Sequence, residues 1–164
     1  MKLPARFILS ALLALPLGTM VGPAIASDAA HSHGHQVHGT MELNQGQKWE
    51  TDAALRQGMG ALHQIVSTGL KGAHANALAV DDYKKMSGEI MTQFTYIVEN
   101  CDLEPEADAQ LHILLGSIIQ GVETIEGKVS GKQAEDGLIM MAQALNSYGA
   151  HFDHPNWQSF NISH

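Results

Sequence analysis

Three side chains able to hold a cation fall within four residues near the end of the chain: His151, Asp153 and His154. His112 follows Asp108 by four residues, and His63 follows Met59 by four. On a helix that spacing puts each pair on one face. An Asp beside a His is the arrangement that orients a metal-binding imidazole, although it also describes an ordinary surface pair. A second set stands at short intervals near the start: His31, His33, His35 and His38. Neutral imidazole binds copper and zinc, and a methionine thioether or cysteine thiolate favours copper(I). The chemistry these residues could do is therefore metal binding. The expected ligands are His112, His151 and His154, with His63 and Met59 as further candidates and the four early histidines as a looser capture segment.

Other chemistries find less support. The sequence has no G-x-S-x-G, no H-E-x-x-H and no paired E-x-x-H motif, so no enzyme activity is expected. Cys101 is the single cysteine. It cannot form an internal disulfide and is left as a free thiol, an intermolecular bridge or a soft ligand.

The elements that must position these residues read as helices throughout. Asp52 or Thr51 can cap a first helix, whose apolar stripe is Leu55, Met59, Leu62, Val66 and Leu70. Gly69 and Gly72 mark its expected end, with His74 exposed. A second helix is expected to start at Asp81 or Asp82, with the stripe Tyr83, Met86, Ile90, Phe94, Ile97, Val98 and Cys101. Glu104 and Pro105 open a third, since proline is tolerated in the first turn and acidic residues suit the positive end of the helix dipole. Its seam is Leu111, Leu115, Ile118, Val122 and Ile125. After a glycine-flanked turn at residues 127–131, Leu138, Met141, Leu145, Tyr148 and Phe152 mark the fourth. Pro155 stops it, because proline lacks an N–H and disfavours helical geometry in the residue before it. Trp157 and Phe160 can fold back on the bundle end.

Four helices with short connections predict an all-α, up-down-up-down four-helix bundle spanning residues 48–164. In that topology the start of the first and third helices shares one end with the finish of the second and fourth. Met59, Cys101, His112, His151 and His154 then belong to one half of the bundle. Residues 27–47 are polar and histidine-rich and are expected to form a tail, disordered without metal. Residues 1–26 read as a secretory signal peptide: Lys2 and Arg6, an apolar run at residues 7–17, and Ala24-Ile25-Ala26 as a cleavage site. They are too short and wrongly flanked for a membrane span, so a periplasmic protein with no span after cleavage is expected. Removing Lys2 and Arg6 takes the basic residues from 9 to 7 against 17 acidic ones, a net charge of −10. That balance disfavours nucleic acid and favours cations or a basic partner protein.

Lys48-Trp49-Glu50-Thr51-Asp52, Tyr96-Ile97-Val98-Glu99-Asn100-Cys101 and the run from Tyr148 to Pro155 resemble a group of small exported proteobacterial proteins. That resemblance covers the domain beyond the tail and implies an exported helical bundle. The architecture is also similar to the bundle cytochromes of c-prime and b type, but C-x-x-C-H is absent, so haem cannot be attached by that motif. Non-covalent haem held by Met59 and His112 or His151 is the less favoured cofactor; copper or zinc is the favoured one. The remaining alternative is a structural or adaptor bundle without a tight metal site.

Four apolar stripes suffice for a core without a metal to organise it. Circular dichroism after exhaustive chelation is therefore expected to retain the helical signal. Unfolding on chelation would put the protein in the zinc-finger regime instead.

Overall fold

The first helix starts where it does because Asp52 has extended backbone and a short acceptor. Its Oδ1 accepts the Leu55 N–H at 2.6 Å, satisfying one of the orphan donors of the first turn. In the computed structural model, which describes residues 39–162, four helices follow in chain order. They are α1 (Ala53–His74), α2 (Val80–Asn100), α3 (Pro105–Ile125) and α4 (Ala134–His151). Among the described residues there is no strand, only two isolated bridges.

Each start has its own chemistry. Asp82 and Asp136 reach back from the third residue of α2 and α4 to accept the N–H of Ala79 and Gln133, at 2.8 and 2.7 Å. That contact explains why α2 begins at Val80, just ahead of the acidic pair expected to start it. Pro105 is the first residue of α3, with Glu106 and Asp108 in its first turn. The end of α1 differs from the expectation. The helix runs through Gly69 and Gly72 to His74, because Met86, Leu138 and Leu78 pack over those glycines. His74 is exposed.

The helices pack as a ring. α3 lies most extensively on α4 and α1 on α2, and α1–α4 and α2–α3 contacts close the circle. The expected stripes form the core: Leu55, Met59, Leu62, Ile90, Ile97, Ile118, Leu138, Met141, Leu145 and Tyr148 are fully buried. Val98 is the exception. It was expected in the α2 stripe, but it is 58% exposed, one residue around the helix from Ile97. The α3–α4 pair approaches closely at Gly121 and Gly137. A Cβ built on Gly137 would lie 2.7 Å from the Gly121 carbonyl oxygen, so glycine here permits backbone contact between the helices.

Residues 39–47 are not part of a loose tail. They form an arm on the bundle, and the expected boundary at Lys48 moves back at least to residue 39. Met41 packs against the core, and Glu42 N–H donates to Gln110 of α3 at 2.8 Å. Asn44 and Gln47 exchange two backbone hydrogen bonds of 2.8 Å around Gln45 and Gly46, both at positive φ. Such a tight turn suits glycine at its second position. The apolar Met41 and the Trp49 indole, whose Nε1 donates to the Glu42 carbonyl at 2.6 Å, provide the surface that holds the arm. The stretch 27–38 lies outside the described residues.

The arm ends in a clasp across one end of the bundle. Trp49 N–H donates to the His151 carbonyl and Asp153 N–H to the Trp49 carbonyl, both at 2.8 Å. Thr51 Oγ1 donates to the Asp153 carbonyl at 2.6 Å. Asp52 completes it, its Oδ2 accepting the Asp102 N–H from the α2–α3 connection at 2.8 Å. The start of α1, the finish of α2 and the finish of α4 thus meet, as the up-down-up-down order requires.

Asp52 both caps α1 and ties it to that connection, so Asp52→Ala is expected to cost about 1–2 kcal/mol. Urea denaturation checks this; an unchanged midpoint would mean that neither bond contributes.

Candidate functional site

Beyond α4 the chain reverses. α4 ends at His151, and Phe152 is extended (φ −114°, ψ 141°). The helix therefore stops before Asp153, and His154 does not share a helix face with His151. Phe152 is fully buried and stacks on Tyr148, with ring centroids 5.3 Å apart. Residues 153–162 then run back over the flank of α1 and α4. Asn146 fixes that return from both sides, its side chain donating to the Phe160 carbonyl at 3.0 Å and accepting the Phe160 N–H at 2.7 Å. The Trp157 indole lies on Gly149, where any Cβ would overlap it.

This return segment brings together two histidines that are 91 residues apart in sequence. His63, from the flank of α1, stacks on Phe160 with centroids 4.2 Å apart and meets the Trp157 edge at 5.1 Å. His154 lies 4.8 Å from the same indole and shares a 3.0 Å hydrogen bond between its Nδ1 and the Tyr148 hydroxyl. Both imidazoles line a groove of about 200 Å³ with Gly60, Gln64, Asn156, Trp157 and Gln158.

The ring nitrogens are assigned by their partners. His63 Nε2–H donates to the Gln158 carbonyl at 2.8 Å, because a carbonyl can only accept. The same logic makes Nδ1 the donor in His151, to the Ser147 carbonyl at 2.8 Å, and in His112, to the Asp108 carbonyl at 2.9 Å. In each neutral ring the opposite nitrogen keeps a lone pair, as a metal-binding imidazole requires. His112 is exposed on α3, with Asp108 Oδ2 also 3.3 Å from its Nδ1. His151 is half-buried under the arm.

The structure sorts the expected ligands unevenly. His63 and His154 share one groove; His112 and His151 each stand in separate hydrogen-bonded surroundings. Among the described residues no three His, Cys, Asp or Glu side chains gather into a group able to hold an ion. Met59 is fully buried in the core and does not line the histidine groove. His31, His33, His35 and His38 lie outside the described residues. The pairing of His63 with His154 carried no local signal in the sequence. The aromatic residues that create it, Trp157 and Phe160, were legible only as residues able to fold back.

Electrostatics distinguish the groups further. Burial and then the Arg56 guanidinium hold His154 below the ordinary imidazole range; Asp153 pulls the other way and His63 adds to the lowering. His154 is neutral at neutral pH. Burial pushes the Tyr148 phenol up, which keeps its hydroxyl protonated. Burial, with the Asp52 and Asp108 carboxylates, pushes the Cys101 thiol up to about 12. A thiol so raised is a poor nucleophile and a poor thiolate ligand at neutral pH.

Comparison of the chain with protein-family models, with curated proteins and with solved structures finds no match.

Because the folded pKa of His154 is depressed, the unfolded chain takes up a proton that the folded chain resists. Stability is expected to fall as pH drops below the ordinary value of about 6.5, until the depressed folded value is passed. Urea midpoints of chelated protein from about pH 8 to about pH 5 test this, and His154→Gln should flatten that part of the profile. An identical profile for the variant would assign the dependence to other groups.

Proposed function

We propose that the chain is an exported, periplasmic metal-binding four-helix-bundle protein that handles copper or zinc. The observation that carries the reading is the hydrogen bonding of its imidazoles. His63, His112 and His151 each give one ring N–H to a backbone carbonyl, leaving the other nitrogen as a lone pair. Metal-binding histidines are held in this way, because the carbonyl fixes both tautomer and ring orientation. His154, kept neutral by burial and Arg56, is in the protonation state that ligation needs. The His63–His154 groove supplies two imidazoles, and His31, His33, His35 and His38 supply a concentrated set nearby in sequence. The net charge of −10 after loss of residues 1–26 favours cation approach.

The protein's role in this reading is capture and holding of an ion as cargo. No catalytic step is assigned. The raised Cys101 thiol supports an imidazole-based site over a thiolate-based one. The adaptor reading has one observation in its favour: His63, His112, His151 and His154 all have hydrogen-bond partners within the protein, so structural roles alone would account for them.

Elemental analysis of protein purified from its native compartment, with isothermal titration of copper and zinc, separates the two. Bound copper or zinc is expected, and deleting residues 27–38 should lower the number of ions without abolishing binding. The deletion must stop at residue 38, since the arm from residue 39 packs on the bundle. Protein that carries no ion and takes up neither metal would leave the adaptor reading in place.

A further inference from the structure

At the end of the bundle opposite the clasp, the α1–α2 connection, the start of α2 and the α3–α4 turn border a cavity of about 660 Å³. Its apolar walls are Leu78, Val80, Tyr83 and Ile125. Two of these are fixed from behind. Ile125 is buried in the core, and Leu78 lies over Gly72 of α1, where an added Cβ would sit 2.7 Å from Leu78 Cδ2. Glu126, which also lines the cavity, accepts from Ser87 of α2 at 2.6 Å and so holds the α2 and α3 sides together. Val80 is 84% exposed, so one apolar wall stands open to water. A mostly apolar hollow with a few polar groups on it, preformed and of about 300–1,000 Å³, is the usual form of a small-molecule site.

The charged groups on this cavity fall into two kinds. Glu126 and Lys128 pair with each other. Lys84 of α2 and Glu135 in the first turn of α4 have no ion-pair partner among the described residues. The Tyr83 hydroxyl has no hydrogen-bond partner there either. Burial and then the Glu135 carboxylate raise the Tyr83 phenol, which places that carboxylate within electrostatic reach of the ring. One open cation and one open carboxylate, on different helices around an apolar hollow, complement a molecule with an apolar body and one charge of each sign. A ligand with a single charge would meet a like charge at one of the two.

We propose that this cavity binds an apolar zwitterion, a hydrophobic α-amino acid or a short apolar peptide with free ends. The body lies against Leu78, Val80, Tyr83 and Ile125. The ammonium group pairs with Glu135 and donates to the Tyr83 hydroxyl, and the carboxylate pairs with Lys84. This site goes beyond the metal-binding reading and does not depend on it, since the cavity shares no lining residue with the histidine groove.

Isothermal titration of the full chain with leucine and with leucyl-leucine tests the proposal, with circular dichroism as the folding control. Saturable binding of at least one is expected. Tighter binding of leucine points to free amino acids as the source, and tighter binding of leucyl-leucine to peptides. Lys84 and Glu135 are exposed, so Lys84→Gln and Glu135→Gln should leave the fold intact. Each is expected to weaken binding about twofold to fivefold, the range for solvent-exposed ion pairs. The losses should depend on the ligand. N-acetyl-leucine lacks the ammonium group, so Glu135→Gln should not weaken its binding; leucine amide lacks the carboxylate, so Lys84→Gln should not weaken its binding. Val80→Asp, which puts a charge on the apolar wall, should weaken leucine and leucyl-leucine about tenfold. Lys85→Gln, on the same helix but paired with Glu89 and outside the cavity, should change nothing. Absence of saturable binding for both probes overturns the proposal. So does binding that all three cavity variants leave unchanged, or a loss in Glu135→Gln that is as large for N-acetyl-leucine as for leucine. None of these results bears on copper or zinc binding.

Discussion

The carboxylate of Asp52 sits at the junction on which the rest of the structure depends. One oxygen satisfies the start of α1 and the other holds the α2–α3 connection. Three residues earlier, Trp49 pairs with the backbone on both sides of Phe152. These few bonds join three helix termini that are distant in sequence. Helix termini carry backbone groups with no partner inside the helix, so a bundle end is where polar contacts are needed most. Here the needs of one terminus are met by another, which fixes both topology and register. The arm follows from the same clasp, since Trp49 both ends it and donates from its indole back to Glu42.

The reversal after α4 rests on aromatic packing. Tyr148 stacks with Phe152 and meets Trp157 edge-on, with centroids 4.8 Å apart, and His63 and His154 complete the cluster. Aromatic pairs in these geometries contribute about 0.5–1.5 kcal/mol each beyond the area they bury. The arrangement has a cost: Trp157 Nε1 is buried without a hydrogen-bond partner. An unsatisfied donor costs about 1–3 kcal/mol, which a handful of such ring contacts offsets. Gly149 is what allows the indole to lie directly on α4. The histidine groove is thus a product of core packing at the bundle end, with its imidazoles at the edge of the aromatic cluster.

The opposite end of the bundle is held by different means. Glu126, which follows α3, accepts from the buried Ser87 of α2 at 2.6 Å and pairs with Lys128. Those contacts hold the Glu126 carboxyl below its ordinary range, the Lys128 hydrogen bond first. A buried hydroxyl is thereby satisfied across two helices.

The four helices, the capping role of Asp52, the proline start of α3 and nearly all of the core stripe were legible in the sequence. They follow from local rules: side-chain spacing at the helical period, short acceptors before a helix, and acidic residues in a first turn. Val98 escaped because an apolar residue one position from the stripe looks the same as one within it, until packing decides which is covered. The candidate ligands were also legible as residue types, since imidazole chemistry belongs to the side chain. Their grouping was not. His63 meets His154 only because Asn146 and the aromatic residues turn the chain back, and the arm reaches α3 where Gly39 fits on Ile113. Contacts across such separations depend on where whole elements come to rest, a sum of many weak packing terms that no local pattern encodes. The sequence by itself determined the bundle and the residue types it can offer; the tertiary structure decided which imidazoles are neighbours, because proximity is a property of the packed helices and of nothing shorter.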